Sequence, residues 1–417
     1  MKKMYLVLLV SLVAIFSLTS SIFAAKTLVM WDQRPETEQI MEMFNAKMEA
    51  EGRDVRAKLE IIPYDQMVSK FMAALSAGKA PDLYGLDIVQ FPYFTSIGAF
   101  EDITGWAKNL PFFEELPKGM MRPGIKDDRI YGLPYQIDLS VLLWNKNMFV
   151  EAGLDPNQSP KTWYELVEMG KKLTVDKNGD GIIDQWGFNL AGGGAGAYMF
   201  WFMPFVWGNG GNMFDEQGNV TLNSYETVEA LRFWHDLIYE YKIAPVSSIQ
   251  YGSGDRYNLF VSGKLAMFLG GNFNITSLRK DAPDIDFGVA LIPSNRGEHA
   301  TFGGGTLIGI TSQSKSIDEA KEFMEFIYSD EALIEAFAPN LMLIPRPSLY
   351  DNKYYKEIPQ MEEFGEFLKY AVTPYSLNYN EIYDPVLYYF ESVFLNKMDA
   401  ESAVEKCTEK IKSLTQK

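Results

Sequence analysis

The chain has 417 residues, is 47% hydrophobic and 14% aromatic, and carries a formal net charge of −17. The length suggests two or three domains with ample material for a core, and the apolar content excludes a disordered chain. The acidic balance argues against nucleic acid or an anionic membrane surface as partner, since both need basic patches, and it fits an uncharged or cationic ligand, although net charge says little about one pocket.

In chain order, Lys2 and Lys3 form a positive start, Met4 to Phe16 an apolar run, and "SLTSSIFAAK" a stretch of small residues. This reads as a secretory signal peptide over 1–24, cut near Ala24 or Ala25. The apolar run is short for a membrane anchor, the competing reading. Loss of Lys2 and Lys3 takes the formal charge from −17 to −19. Cys407 is the single cysteine, so no disulfide forms within the chain and no cysteine after the signal can carry a lipid. The mature protein is expected to be periplasmic or extracellular, and not a lipoprotein.

"TLVMW" (27–31) has a buried-strand pattern; "PETEQIMEMFNAKMEAEG" follows, with Ile40, Met41, Phe44 and Met48 at helical spacing and Gly52 as its stop. "AKLEIIPY" (57–64) predicts a second strand, "DQMVSKFMAALSAG" a second helix ended by Gly78, and "DLYGLD" (82–87) a third strand. This βαβαβ order implies a parallel sheet covered by helices. "TWYE" (162–165) and "SIDE" (316–319) predict capping boxes. Between 224 and 241, Val228, Leu231, Trp234, Leu237, Ile238 and Tyr241 form an apolar stripe that belongs to a core.

Catalytic constellations are sparse. His235 and His299 are isolated, and with one cysteine they support neither a zinc site nor a Cys–His nucleophile. "AGGGAGA" (191–197) lacks the Gly-Lys-Ser/Thr that grips phosphate and reads as a flexible loop. Paired carboxylates that cut a glycoside stand about 5 to 10 Å apart, a spacing sequence cannot show. In "DKNGDGIIDQWGF" (176–188), Asp176, Asn178, Asp180, the Ile182 carbonyl and Asp184 sit at calcium-loop positions, with Gly181 at the sharp turn. Position twelve is Gly187 where a calcium sensor needs glutamate, and "DQWGF" reads as strand. A structural calcium clip and a plain Asn/Asp/Gly turn both fit, and a calcium switch does not.

A saccharide has polar rims and apolar C–H faces, so its site needs flat rings beside carboxylate, amide or guanidinium groups. "MWDQR" offers Trp31, Asp32, Gln33 and Arg34 directly after strand one, and Asp87 follows strand three. Both segments would lie at the carboxyl ends of parallel strands, where ligands of such sheets bind. Core packing is the competing role for Trp31.

"RIYGLPYQIDLSVLLWNKNMFVEAGLDPNQSPKTWYEL" (129–166), "VWGNGGNMFDEQGNVTLNSYETVEAL" (206–231), "LFVSGKLAMFLGGNF" (259–273), "FGVALIPSNRG" and "FGGGTLIGITSQSKSIDEAKEFMEFI" follow one another in order. Together they resemble the family 1, maltose-binding-like solute-binding proteins of ABC sugar importers. The resemblance implies an α/β fold of the periplasmic-binding-protein type II class, in which two α/β lobes close on a ligand cleft. The lobes would comprise 25–135 with 303–342 and 138–300 with 345–417, with hinge crossings near 135–139, 298–302 and 342–346. It further implies a non-catalytic protein without a required cofactor, acting as a monomer, with a mono- or oligosaccharide ligand and an ABC importer permease as partners. Other importer substrates, such as a polyamine or phosphate ester, and a secreted carbohydrate-active enzyme are the alternatives.

By the same resemblance, Asp32 and its neighbours match the family's ligand-contacting first loop, and Asp87 lies beside another contact loop. Asp138 in "PYQIDLS" falls where an acidic sugar contact is frequent. Asn272 and Phe273 in "GGNF" stand near the position where many members carry tryptophan. Trp207 and Gly304 fall in cleft-lining segments, and Tyr375 in a weakly matching C-terminal region. The calcium-like loop matches a hairpin frequent before the second lobe's sheet, which favours a bracing role.

Overall fold

The computed structural model describes residues 26–215, 217–296 and 298–415; the signal-peptide reading of 1–24 lies outside them. Strand β1 (Lys26–Asp32), helix α1 (Thr37–Ala50), β2 (Val55–Ile61), α2 (Met67–Ser76) and β3 (Leu83–Asp87) follow in the order that the sequence predicts. Strand β1 lies between β2 and β3 and runs parallel to both, with Met30 opposite Leu59 and Leu83. Strand β2 ends at Ile61 rather than Tyr64: Pro63 has no amide for the ladder, and a 3₁₀ turn over Tyr64–Gln66 leads into α2.

Next comes β4 (Leu133–Asn145), 13 residues long, and then α3 (Trp163–Leu173), α4 (Tyr225–Tyr239), α5 (Ser253–Val261), β5 (Met267–Gly271), α6 (Phe273–Asp281) and β6 (Phe287–Ala290). The chain ends with β7 (Thr301–Ile310), α7 (Ile317–Ile327), β8 (Ala371–Val372), α8 (Tyr383–Phe394) and α9 (Ala400–Thr415). The sheet order is β2-β1-β3-β7-β4-β5, with β6 beside β4 and β8 beside β7. Strand β7 runs antiparallel to both β3 and β4.

Strand β4 belongs to two lobes. It pairs with β7 as far as Leu139, opposite Gly303, and with β5 from Ser140, opposite Gly271. Side chains pin the exchange. The Leu139 amide donates to Asn272 Oδ1 (2.9 Å), the Asn272 amide returns a bond to the Leu139 carbonyl (3.3 Å), and the Phe302 amide donates to Ser140 Oγ (3.0 Å). Leu343 bridges Ile137, and Ala371 of β8 pairs with Thr301. Arg346 still pairs with Glu115 and Asp330 in lobe one, whereas Gln360 reaches the Phe287 carbonyl in lobe two.

Each lobe has its own aromatic core. In lobe one, Phe44 of α1 packs against Phe323 and Phe326 of α7, ring centroids 4.9 and 5.6 Å apart. In lobe two, Trp163 of α3 stacks on Phe233 of α4 at 4.3 Å, and Trp234 meets Phe202 and Phe394. Val228, Leu231, Trp234, Leu237 and Ile238 of the stripe are buried on α4, as their spacing predicts, whereas Tyr241 lies past its end and is half-buried. The Thr162–Glu165 capping box forms, with bonds of 3.1 and 3.2 Å. The predicted Ser316–Glu319 box does not. Glu319 is held by Lys26 Nζ at 2.7 Å, and the Ser316 amide turns to Ser314 Oγ, although α7 starts where expected. "DQWGF" makes only single bridges, Gln185 to Val175 and Trp186 to Leu265, rather than a strand. Among the described residues no helix is long and apolar enough to cross a membrane.

Candidate functional site

Strands β1 and β3 both end at one edge of the lobe-one sheet, where β4 and β7 cross toward lobe two. A cleft of about 170 Å³ opens there, lined by Tyr64, Asp87, Asp138, Phe200, Phe302 and Tyr383, with Gly304 and Gly305 beneath. It stands at the carboxyl ends of parallel strands, the position that favours ligands in such sheets.

The lobe-one wall is acidic and braced. Arg34 forms an ion pair with Asp138. The loop that carries Arg34 is tied down by Asp32, whose Oδ1 accepts the Arg34 amide (3.0 Å) and whose Oδ2 accepts the Thr37 hydroxyl (3.2 Å). Asp32 is fully buried, and burial raises its carboxyl to about 7 against the pull of those bonds and of Arg34. Gly85 is required beneath it: a Cβ there would stand 2.8 Å from Asp32 Oδ2 and from the Tyr135 hydroxyl. Asp87, ending β3, accepts the Val89 amide (3.1 Å) and the Tyr64 hydroxyl. Burial lifts its carboxyl to about 6, and the negative charge of Asp138 pushes the same way.

Aromatic rings complete the lining. Residues Tyr198–Phe202 wind as a π-helical turn, a local widening common at functional sites, and Phe200 on it lines the cleft. Phe200 lies 5.2 Å from Phe302 and 6.3 Å from Phe273, and Phe302 stacks with Trp207 at 6.2 Å. Successive residues of β7 face opposite ways. A Cβ on Gly304 would lie 3.6 Å from Phe200, whereas one on Gly303 would press on Met120 at 2.8 Å. Tyr379 and Tyr383, 5.3 Å apart, close the rim.

The structure therefore brings Asp87, Asp138 and Gly304 together in the cleft, with Arg34 bonded to Asp138. Phe273, nearly half exposed, and Trp207 extend the aromatic wall, although the Trp207 indole N–H is taken by Asn212 Oδ1 at 3.1 Å. Five expected contacts, Trp31, Asp32, Gln33, Asn272 and Tyr375, stand outside the cleft lining and are corrected here. Trp31 faces α2: its indole N–H donates to Glu60 (3.0 Å), Lys70 lies over its ring and Tyr84 meets its edge, so core packing accounts for it. Asp32 acts from beneath through Arg34, and Asn272 Oδ1 is engaged at the strand exchange. Tyr375 stacks under the Arg122 guanidinium (3.7 Å) in a separate cavity of about 800 Å³, lined also by Gly119, Lys126, Asp128 and Phe214. Gln33 is half-buried beside Arg34 and is not part of the cleft lining.

Tyr64, Phe200, Phe302, Tyr379 and Tyr383 join the cleft without having been singled out in the sequence. "YNEIYDP" (379–385), tyrosine-rich and running into the first turn of α8, carried a signal; Phe302, one residue before the glycine run of β7, carried a weaker one.

In the 176–184 loop the carboxylates serve the loop itself. Asp176 Oδ1 accepts the Gly179 amide (2.7 Å), its Oδ2 the Gly181 amide (2.8 Å), and Asp184 Oδ2 the Lys177 amide (2.8 Å). These bonds hold the Asp176 carboxyl below its usual range. Gly187 is packed so that a Cβ would stand 2.2 Å from the Gly170 carbonyl, which excludes a glutamate ligand there. Among the described residues no three His, Cys, Asp or Glu side chains are grouped to hold a metal ion. His235 bonds to Asp236 and Asn396, and His299 to the Ile292 carbonyl; neither lines the cleft.

A family model described as bacterial extracellular solute-binding protein matches residues 32–334. An arabinooligosaccharide-binding protein of Halalkalibacterium halodurans is 27% identical over 75% of this chain and 69% of its own length. A binding protein of Brucella abortus is 24% identical over 92% of this chain and 90% of its own. Among solved structures, an ABC transporter solute-binding protein of Thermotoga lettingae bound with α-D-tagatose aligns with TM-score 0.75 and 25% identity, over 94% of this chain and all of that one. The sugar-binding protein MalE of Xanthomonas citri aligns with TM-score 0.83 and 21% identity, over 94% and 98%. These likenesses show the two-lobed type II periplasmic-binding-protein fold that the sequence leads one to expect.

Proposed function

The chain belongs to the bacterial extracellular solute-binding proteins, and from that premise we propose that it captures a mono- or oligosaccharide by closure of its lobes and delivers it to an ABC importer. One observation carries the reading: the carboxylates of Asp87 and Asp138 and the rings of Phe200 and Phe302 line one cleft where β4 and β7 cross. Ligand hydroxyls would donate to the carboxylates, and the apolar faces of the sugar would lie on the rings. Contacts drawn from both walls are strongest when the walls approach, so the ligand favours the closed form, which the importer would recognise.

On this reading the protein acts without catalysis or a required cofactor, as a secreted monomer freed by signal cleavage, carrying no lipid and binding no nucleic acid. The 176–184 loop would brace lobe two, with its carboxylates the candidate place for a structural calcium.

Titration with a sugar panel, followed by tryptophan fluorescence and melting temperature, tests the reading, because Trp201 and Trp207 adjoin the wall. A rise in melting temperature with at least one saccharide is expected. A shift with a polyamine, amino acid or phosphate ester and with no sugar would reject the saccharide. Turnover of aryl glycosides, abolished by replacing Asp87 or Asp138, would make the protein an enzyme.

A further inference from the structure

Asp87 lines the cleft and is partly exposed, yet it makes no ion pair among the described residues. Its Oδ1 accepts the Val89 amide (3.1 Å), and the Tyr64 hydroxyl is bonded to it. Asp138, the other carboxylate of the lining, is also partly exposed, and its charge is shared with Arg34. No lysine, arginine or histidine lines the cleft among the described residues, so the charge of Asp87 is left unbalanced within the lining. A carboxylate held in that state is unfavourable to the fold, and such groups mark places where function has been kept at a cost in stability.

Three phenols of the same lining gather near Asp87. Its charge acts on Tyr64, Tyr379 and Tyr383 alike. Burial and that charge push the Tyr383 phenol up to about 12, and the charge and burial push Tyr64 up as well, so both keep their protons at neutral pH. Tyr379 is 2% exposed, and its buried hydroxyl makes no well-formed hydrogen bond, although the Tyr383 ring is 5.3 Å away. A buried phenol left open beside a cleft has capacity to spare for a ligand. With Phe200 and Phe302, five aromatic rings line the cleft. Electron-rich ring faces attract a cation, and a carboxylate among them does so more strongly. At about 170 Å³ the cleft is smaller than the roughly 300 Å³ at which drug-sized pockets begin, which suits a single sugar ring.

Taking the saccharide reading as given, we infer that the ligand is an amino sugar, whose protonated amino group meets Asp87 among the phenols of Tyr64, Tyr379 and Tyr383 while its apolar face lies on Phe200 and Phe302. Its hydroxyls are left for Asp138. The ammonium balances the one carboxylate that the protein leaves unpaired, through charge-assisted hydrogen bonds stronger than those of a hydroxyl. A neutral sugar can donate to Asp87 but leaves its charge unbalanced once the lobes close, and an anionic sugar is repelled, so the site discriminates against both. The net charge of −17 points the same way, since it favours the approach of a cationic ligand.

The test compares glucosamine, galactosamine and mannosamine with glucose, galactose and mannose, with the N-acetylated forms, with glucuronate, and with putrescine and choline as amines that carry no sugar. Binding is measured by calorimetry on the purified protein at pH 7 and repeated on Asp87→Asn. At least one amino sugar is expected to bind tenfold or more tightly than both its neutral counterpart and its N-acetylated form. Asp87→Asn is expected to bring that ratio within about threefold. In the wild type, affinity for the amino sugar should also fall above about pH 8, where an amine of α-amino type loses its proton, and affinity for a neutral sugar should not. If neutral, N-acetylated or anionic sugars bind as tightly as amino sugars or more so, the inference fails and the saccharide reading stands. If putrescine or choline binds and no sugar does, or if nothing binds, the saccharide reading itself fails and the inference with it. An Asp87→Asn protein that folds and keeps the tenfold preference would overturn the role given to Asp87. Should Asp87→Asn not fold, the wild-type panel and its pH profile decide.

Discussion

The two walls of the cleft are built by different means. On the acidic side, Asp87 ends β3 and Asp138 lies within β4 beside the strand exchange, and each is held by a neighbour: Arg34 on Asp138, Tyr64 and the Val89 amide on Asp87, with Asp32 bracing the Arg34 loop from below. On the aromatic side, Phe200, Phe302 and Phe273 lean on one another without a hydrogen bond to aim them, and of this group only Trp207 is tied, through its N–H to Asn212. Directional bonds fix where a hydroxyl must be placed; stacked rings fix a plane and tolerate sliding within it. The lobe-one wall should therefore set specificity, and the aromatic wall a broader contribution to affinity.

The largest effect should come from breaking the directional wall. Asp138→Ala removes a cleft carboxylate and strands Arg34. Affinity for the bound saccharide is expected to fall by roughly 100-fold, or about 3 kcal/mol, by calorimetry, with Asp138→Asn recovering part of it. Binding within about threefold of wild type would remove Asp138 from the site. Next in size is a pH effect that separates bracing from contact. Asp32 titrates near 7 in the folded protein, well above the unfolded value of about 4. Between those values the folded state holds more protons than the unfolded one, so this group's contribution to stability declines as pH rises through the window and levels off above about 7. The integrated change is roughly 2–4 kcal/mol. Paired acids such as Glu229 and Glu319, held below their usual range, act in the opposite sense, so the informative quantity is the difference between Asp32→Asn and wild type. In urea denaturation from pH 4.5 to 8, the variant is expected to gain on wild type as pH rises; parallel curves would refute the buried titration. Asp87, near 6, should instead weaken ligand affinity as pH falls from 7 to 5, because its ionised form accepts the ligand's hydroxyls.

A smaller effect belongs to the aromatic wall. Phe200→Ala should reduce affinity by roughly tenfold, about 1.4 kcal/mol, similarly for every sugar that binds. A change confined to one sugar would give the rings the selective role assigned here to the carboxylates. Trp31→Phe is the matching control: it loses the bond to Glu60 and should leave affinity unchanged.

The same contrast separates what the sequence shows from what it hides. The βαβαβ start, the α4 stripe, the Thr162 box and Asp87 follow from local periodicity and strand ends, whereas Asp138 was expected only from the resemblance to the family. Trp31 fails as a contact because strand alternation alone does not say which face of β1 meets the cleft and which meets α2. Phe302 and Phe200 were hidden because their placement depends on β7 returning beside β4 and on a π-turn, neither of which leaves a short-range pattern. The Ser316 box was legible yet absent, since Lys26, nearly three hundred residues away, claims its glutamate.

The smallest effect concerns a loop whose sequence spells cation binding and whose geometry spells a turn. Asp176 gathers the amides of Asn178, Gly179 and Gly181 within one side chain, and the left-handed Gly179 and Gly181 let the backbone wrap round it. Asp176→Ala releases all three amides to water, and because the loop is exposed, water replaces most of what is lost. Melting temperature should drop by less than about 2 °C, with ligand affinity unchanged, since the loop lies outside the cleft. EDTA then separates the two readings of the loop. A drop in the wild-type melting temperature that calcium reverses, and that is missing in Asp176→Ala, would put an ion on the free lone pairs of these carboxylates. Curves that EDTA leaves in place would make the amide network sufficient, with Gly187 at position twelve as the structural reason.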